Sequence, residues 1–367
     1  MPGAVRCPLC PIHDGMRPWR VIALLAGGAM EWWQVPRHDG SFNTMVRDLG
    51  LSEADWLDLS TGVNPHGWAA PTPPPSVWQR LPDVHDGLLE AAREYYGTDE
   101  LRPVPGSQAA LAVLPWLCKR SRVGMISPGY AEHRAAWSRA GHDVVPLSSA
   151  QLAGGAGTAF DVLVIINPNN PDGTLFEPEA LLEWHARLAS RGGWLVVDEA
   201  FMDALVEHSL APSLPLPGLI VLRSMDTFFG LAGIRLGFVL GDPAVLERLE
   251  AALGPWTVSG PARWVARQAL ADGAWQVRMR QRLAAESERL AALLQRHFSE
   301  RVVGTSAFRT VLTPEASAIH EQLAHEAILV RLLDHQEGLR FGLPPDEAGW
   351  ERLGRVLDKI CPAVEAR

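Results

Sequence analysis

Lysine is almost missing from this chain. Its 33 basic residues include only two lysines, Lys119 and Lys359, and the rest are arginines. A high-GC coding bias, which favours Arg, Ala, Gly and Pro together, accounts for the imbalance. Two lysines nevertheless leave few candidates for chemistry that needs a primary amine. Cysteine is also scarce. Four residues, at positions 7, 10, 118 and 361, are too few for a disulfide scaffold in 367 residues. Cys7-Pro-Leu-Cys10 with His13 supplies half of a zinc site. A structural zinc takes four ligands and no second Cys pair follows, so no metal is expected. Acidic residues outnumber basic ones and the net charge is −9, which argues against a broad nucleic-acid-binding surface. No run of 18 apolar residues occurs, so no membrane partner is expected. Val21–Met30 is a ten-residue apolar stretch behind Arg17 and Arg20 that superficially resembles a signal peptide. The preferred reading is a poorly structured extension on a cytoplasmic protein.

The rest of the composition is that of an ordinary globular chain. Hydrophobic residues make up 47% and charged residues 20%, which excludes a disordered or fibrous protein. The length allows one large domain or two of ordinary size. Residues 1–40 read as an N-terminal extension, and Pro-Thr-Pro-Pro-Pro at 71–75 as a stiff connector. Near-continuous apolar runs at Val123–Ser127, Asp161–Asn167, Trp194–Asp198 and Leu219–Arg223 suit parallel strands buried on both faces. Helical segments at Gln108–Lys119, Ala131–Ala140 and Glu177–Arg191 lie between them, the last begun near Pro178 and stopped by Gly192-Gly193. This alternation predicts an α/β fold with ligands at the carboxyl ends of the strands. Beyond Gly254-Pro255 the pattern changes to a long helical stretch from Pro261 to His297. Strand-like runs follow at Arg309–Thr313, Ile328–Leu333 and Leu339–Leu343. These observations divide the chain into a large domain at 76–255 and a smaller α+β domain built from 41–75 and 256–367.

Four polar features fall at strand ends or helix starts. Pro105-Gly106-Ser107-Gln108 opens a helix, where glycine lets backbone amides approach an anion. Asn167-Pro168-Asn169-Asn170-Pro171-Asp172-Gly173 is a turn after a buried strand. Asp198-Glu199 ends another strand, where a carboxylate is costly unless paired with a cation or a donor. The segment from Arg223 to Gly237 follows a fourth strand, and its Arg235 is suited to a phosphate.

In this order and spacing the features resemble the fold type I pyridoxal-phosphate enzymes, the aminotransferase class I/II group. The resemblance covers about residues 38–360. The subgroup it resembles most is the threonine-phosphate decarboxylases of cobalamin biosynthesis. The signal lies in the segments 58–65, 127–133, 198–203, 254–261, 304–309 and 339–344. The resemblance implies a mostly parallel central sheet with a smaller α+β domain, a pyridoxal 5'-phosphate cofactor, a small phosphorylated amino-acid substrate and a homodimer. It implies that Asp198 lies under the pyridine nitrogen and keeps it protonated, that Asn170 bonds the ring hydroxyl, and that Tyr130 stacks on the ring. Gly106, Ser107, Ser224 and Arg235 would hold the phosphate. Arg340 would fork onto the substrate carboxylate, with Arg331 and Asn64 lining the substrate site.

One position departs sharply. The residue eight before the phosphate-binding Arg235 is, in this family, the lysine that links covalently to the cofactor. Here it is Thr227, and the usually small residue before it is Asp226. A threonine hydroxyl forms no imine and is a poor proton shuttle. Two smaller departures are Leu81-Pro82-Asp83, where an aromatic residue often precedes Pro-Asp, and Phe201, where many aminotransferases have tyrosine. The resemblance therefore implies decarboxylation of phosphothreonine to aminopropanol phosphate on non-covalently bound cofactor. The alternatives are an aminotransferase of the histidinol-phosphate type and a cofactor-binding accessory protein. The aminotransferase reaction needs Cα deprotonation and leans harder on the missing amine.

Overall fold

Strands buried on both faces need a helical layer on each side, and the structure supplies it. The computed structural model describes residues 52–333 and 337–361. Cys7, Cys10, His13, the stretch 21–30 and the whole of 1–40 lie outside the described residues.

A seven-stranded sheet is built from β2 (Leu101–Val104), β3 (Arg122–Ile126), β4 (Asp143–Leu147), β5 (Val162–Ile166), β6 (Trp194–Asp198), β7 (Leu219–Ser224) and β8 (Gly237–Gly241). Their order is β2-β8-β7-β6-β5-β3-β4. β4, β3, β5, β6 and β7 run parallel, and β8 and β2 continue the sheet antiparallel. The four strands expected from apolar runs are all here, each within a residue or so of the expected ends. β2, β4 and β8 were not expected. Each is short or carries a residue such as Pro103, Pro146 or Gly237 that weakens a strand pattern.

Alternate residues on each strand enter different cores. Val162, Val164, Ile220 and Leu222 pack with Leu114, Trp137 and Leu246. These last three come from α3 (Ser107–Leu117), α4 (Ala131–Arg139) and α7 (Pro243–Leu253). Leu163, Ile165, Leu219 and Val221 belong to the opposite core, with Leu181 of α6 (Pro178–Ala189) and Leu88 of α2 (Leu88–Tyr96). Short helices at Ser76–Gln79 (α1) and Ser149–Ala153 (α5) complete this part of the chain.

A second sheet has the order β1-β11-β12-β10-β9. It is formed by β1 (Leu57–Leu59), β9 (Val302–Thr305), β10 (Phe308–Leu312), β11 (Ile328–Leu332) and β12 (Gly338–Gly342). β1 pairs parallel to β11, so an N-terminal strand is completed by the C-terminal part of the chain. The remaining helices are α8 (Gly260–Ala271), α9 (Gly273–His297), α10 (Ala316–His325) and α11 (Glu347–Ile360).

The single helical stretch expected at 261–297 is two helices. Asp272 ends α8 and caps α9, its carboxylate accepting from the Trp275 amide at 3.0 Å and from Trp68 Nε1 at 3.0 Å. Apolar spacing continues across the break because both helices bury a face, and periodicity alone does not register a cap.

The chain runs outward from β3 to β4 and then returns to place β5 on the other side of β3. Connections leaving the carboxyl ends of β3 and β5 therefore diverge and open a crevice, the usual ligand position in open α/β sheets.

Candidate active site

The crevice collects residues from several chain segments. Asp198, the last residue of β6, is buried. Its Oδ2 lies 2.8 Å from His133 Nε2, and its Oδ1 accepts from the Ala200 amide at 3.1 Å. An ionised carboxylate only accepts, so Nε2 is the protonated nitrogen of His133. His133 sits in the first turn of α4, three residues after Tyr130, and is buried as well. His133 closes the 127–133 segment, where the sequence pattern gives it no role. Its spacing from Tyr130 at a helix start was the available signal.

Tyr130 stands at the start of α4 and its hydroxyl donates to Gln108 Oε1 at 3.3 Å. Burial, together with the carboxylates of Glu132, Asp198 and Asp226, pushes that hydroxyl up to about 12. Arg331 pulls in the other direction. Tyr130 thus feels residues from the end of β6, the turn after β7 and β11 at once. The geometry brings those sequence-expected groups to one place.

Arg331 and Arg340 stand directly opposite one another on β11 and β12. Like charges in that arrangement repel. Arg340 NH1 donates to Asn170 Oδ1 at 2.9 Å and NH2 to the Ser60 carbonyl at 2.8 Å, while its Nε has no partner. Among the described residues no carboxylate pairs with Arg340. Burial and the neighbouring Arg331 push its guanidinium down to about 10. Its guanidinium lies 5.1 Å over the Phe308 ring, and Phe308 meets Phe201 edge-on at 5.2 Å. Phe201, with no hydroxyl to satisfy, closes the apolar wall behind that cation. Two opposed arginines over an apolar floor are chemically suited to an anion.

The phosphate-type groups meet on the other side. Gly106 precedes α3 with φ +78, and a Cβ there would come within 2.5 Å of Arg235 NH2. That backbone favours glycine, and a side chain there would push the end of Arg235 aside. Across from it, a Cβ on Gly237 would meet the Ser107 amide at 2.8 Å, so β8 lies tightly against the start of α3. Arg235 itself has φ +51, and its NH1 donates to the Ala232 carbonyl at 2.9 Å and to Asp226 Oδ2 at 3.0 Å. Ser224 Oγ accepts from the Asp226 amide at 3.1 Å.

Thr227 occupies the pivotal position. It is buried, and its hydroxyl donates to the Ala200 carbonyl just past Asp198. Its own carbonyl accepts from the Asn64 amide at 2.9 Å. Asn64 also donates its side-chain amide to Phe228 O at 2.8 Å and accepts from His66 N at 2.8 Å. Its side chain is thus occupied with backbone, holding the 227–228 turn. Neither lysine stands near these groups. Lys119 lies past the end of α3, beside the amino ends of β3 and β5, and Lys359 on α11 is ion-paired to Glu326.

A buried network lies behind the site. Arg223 on β7 contacts Glu199 at 2.6 Å and Asp203 at 2.5 Å. Ser209 Oγ and the Leu210 amide also donate to Glu199, and the Tyr95 hydroxyl donates to Asp203 at 2.8 Å. Burial pushes the Glu199 carboxyl up against the pull of Arg223. This answers the cost anticipated for carboxylates after β6: His133 compensates Asp198 and Arg223 compensates Glu199.

Comparison with known proteins gives the family. Residues 54–344 match the family model described as aminotransferase class I and II. This chain belongs to that family. It is similar to the threonine-phosphate decarboxylase of Pseudomonas aeruginosa, 48% identical over 320 residues, covering 87% of this chain and 96% of that protein. It is similar to the threonine-phosphate decarboxylase of a Sinorhizobium species, 38% identical over 331 residues, covering 88% and 98%. A solved histidinol-phosphate aminotransferase from Sinorhizobium meliloti, in complex with pyridoxal-5'-phosphate, superposes with a TM-score of 0.72 at 20% identity. It covers 87% of this chain and 93% of that one, and shows the shared fold. The expected α/β architecture, a mostly parallel sheet with a smaller α+β part, is thus that of this aminotransferase family.

Proposed function

We propose that this chain binds pyridoxal 5'-phosphate without a covalent bond and decarboxylates phosphothreonine to aminopropanol phosphate, serving cobalamin biosynthesis. The observation that carries this reading is Arg340, a guanidinium with a buried, unpartnered Nε and, among the described residues, no carboxylate paired with it, facing the crevice where Asp198, Tyr130 and Asn170 converge. The donor set fits the cofactor. Asp198, held by His133, would accept from the protonated ring nitrogen, Tyr130 would cover the ring, and Asn170 would reach its hydroxyl. The cradle of Gly106, Ser107, Ser224 and Arg235 would hold the phosphate. When bound, the cofactor supplies an electron sink for the bond broken at Cα.

The chain's residues do the positioning. Arg340, with Arg331 opposite, would hold the substrate carboxylate and orient the bond to be broken. Phe201 and Phe308 exclude water behind it. The ring- and phosphate-binding groups belong to the large domain at 76–255, and both arginines to the smaller domain at 41–75 and 256–367. Thr227 cannot carry a proton to Cα as an amine would, and losing a positioned acid or base typically costs about 10²–10⁴-fold. Its hydroxyl, engaged by the Ala200 carbonyl, favours a second reading in which the chain binds cofactor and substrate without turnover. We further place the protein in the cytoplasm as a homodimer. Trp78, Leu81 and Trp256 expose apolar surface suited to a second copy.

The test begins with cofactor titration by absorbance, then borohydride reduction and peptide mass mapping. Saturable binding with no reduced adduct is expected, and an adduct on Lys119 or Lys359 would overturn the non-covalent reading. Carbon dioxide release from phosphothreonine follows. Thr227→Lys with Asp226→Gly should raise it by roughly 10²–10⁴-fold. Release by the parent protein supports the first reading, and binding without release selects the second.

A further inference from the structure

The cradle that suits a phosphate already contains an anion. Its other members are donors: the Ser107 amide at the start of α3, the Ser224 hydroxyl and the Arg235 guanidinium. Asp226 turns its carboxylate back into this set, with Oδ2 on Arg235 NH1 at 3.0 Å and Oδ1 buried with no partner. Its own amide is tied to Ser224 Oγ, so backbone and side chain both engage the cradle. Burial pushes this carboxyl up while Arg235 pulls it down, the condition of a desolvated carboxylate with one cation to itself.

We propose that Asp226 is an internal competitor for the phosphate cradle, a carboxylate that a phosphorylated ligand must displace from Arg235 before it binds. Asp226 thereby sets the affinity of the site for phosphate-bearing ligands and narrows their advantage over ligands without a phosphate. The inference rests on the preceding section only for the identity of the natural ligand. The competition itself follows from the geometry of Asp226, Arg235 and Gly106. A charge-assisted contact of this kind, partly open to solvent, corresponds to about tenfold in affinity.

The probe is inorganic phosphate, measured by calorimetry at fixed ionic strength on the full chain. Asp226→Asn should bind it about tenfold more tightly than the parent, and Asp226→Gly, a change of different size, should show the same gain. In Asp226→Asn/Arg235→Gln the gain should vanish, because the released cation is gone. Equal affinity in the parent and both single variants, or a gain that survives loss of Arg235, overturns the proposal. Titration with pyridoxal phosphate and with pyridoxal separates the two readings. If phosphate affinity rises in Asp226→Asn but neither the parent nor the variant binds pyridoxal phosphate, the cofactor assignment fails and the competition stands. If pyridoxal phosphate binds and Asp226→Asn changes its affinity no more than that of pyridoxal, the competition fails and the cofactor assignment stands.

Discussion

Asp198 shows how a single residue is made usable. A carboxylate buried at the end of a strand must be compensated, and His133 does so across 65 residues of sequence. His133→Ala leaves Asp198 with the Ala200 amide alone. The expected cost is about 1–3 kcal/mol in denaturant unfolding, with weaker cofactor binding in an absorbance titration. Asp198→Asn made together with His133→Ala should recover part of the stability but not the binding, since a neutral amide does not hold the ring proton. Gly106 makes a different residue-scale demand. Gly106→Ala forces a side chain into a positive-φ backbone and against Arg235. A drop of about 1 kcal/mol or more in stability is expected, with at least a several-fold loss of phosphate affinity. Both residues lie in segments already conspicuous in the sequence. Glycine before a helix pointed to an anion site, whereas His133 was visible only as a histidine three residues after Tyr130.

At the scale of elements, the boundaries carry most of what the apolar pattern missed. α8 and α9 read as one helix because their buried faces continue in phase. Asp272 separates them by capping α9 and receiving Trp68 Nε1, which draws in the chain just after Asn64. These two hydrogen bonds hold the Asp272 carboxyl below its ordinary range. Asp272→Ala should cost about 1 kcal/mol near neutral pH. A carboxyl whose folded value is depressed stabilises the protein above its unfolded value, and that contribution is lost as pH falls through the folded one. The stability gap between the parent and Asp272→Ala should therefore be full at neutral pH and shrink in acid, below the usual aspartate range. A gap that grows on acidification would contradict the capping role. Denaturant unfolding at several pH values measures it. The unexpected strands β2, β4 and β8 teach the same lesson: with Pro or Gly inside them, they are strands because a neighbour supplies the ladder.

At the scale of the molecule, the Arg223 network binds the layers together. Arg223 on β7 holds Glu199 and Asp203 beyond β6, Tyr95 reaches Asp203 from α2, and Arg280 of α9 donates to the Asp203 carbonyl at 2.8 Å. The guanidinium also lies 4.9 Å over the Tyr96 ring. Arg223→Met would strand two buried carboxylates, and a loss of about 3–5 kcal/mol is expected in equilibrium unfolding. Arg223→Met combined with Glu199→Gln and Asp203→Asn should lose less than the single change, because no uncompensated charge remains. If the single variant unfolds like the parent, the network is not what joins these layers.

Local pattern alone determined much of this protein. Apolar runs marked the buried parallel strands, because a strand covered on both faces must be apolar throughout. Short segments of fixed residue type marked the family, and the shortage of lysine with Thr227 at position 227 marked the missing amine. Those properties are written in residues close together along the chain. What only the tertiary structure decided is which charges meet. Arg340 finds Asn170 across 170 residues, Arg331 stands opposite Arg340, and Asp198 finds His133. Strand register and loop path set these pairings, and no local period encodes them. Asp226 and Arg235 are only nine residues apart, yet their pairing also depends on the turn between them, whose course is fixed by Asn64 and by the close approach of Arg235 to Gly106.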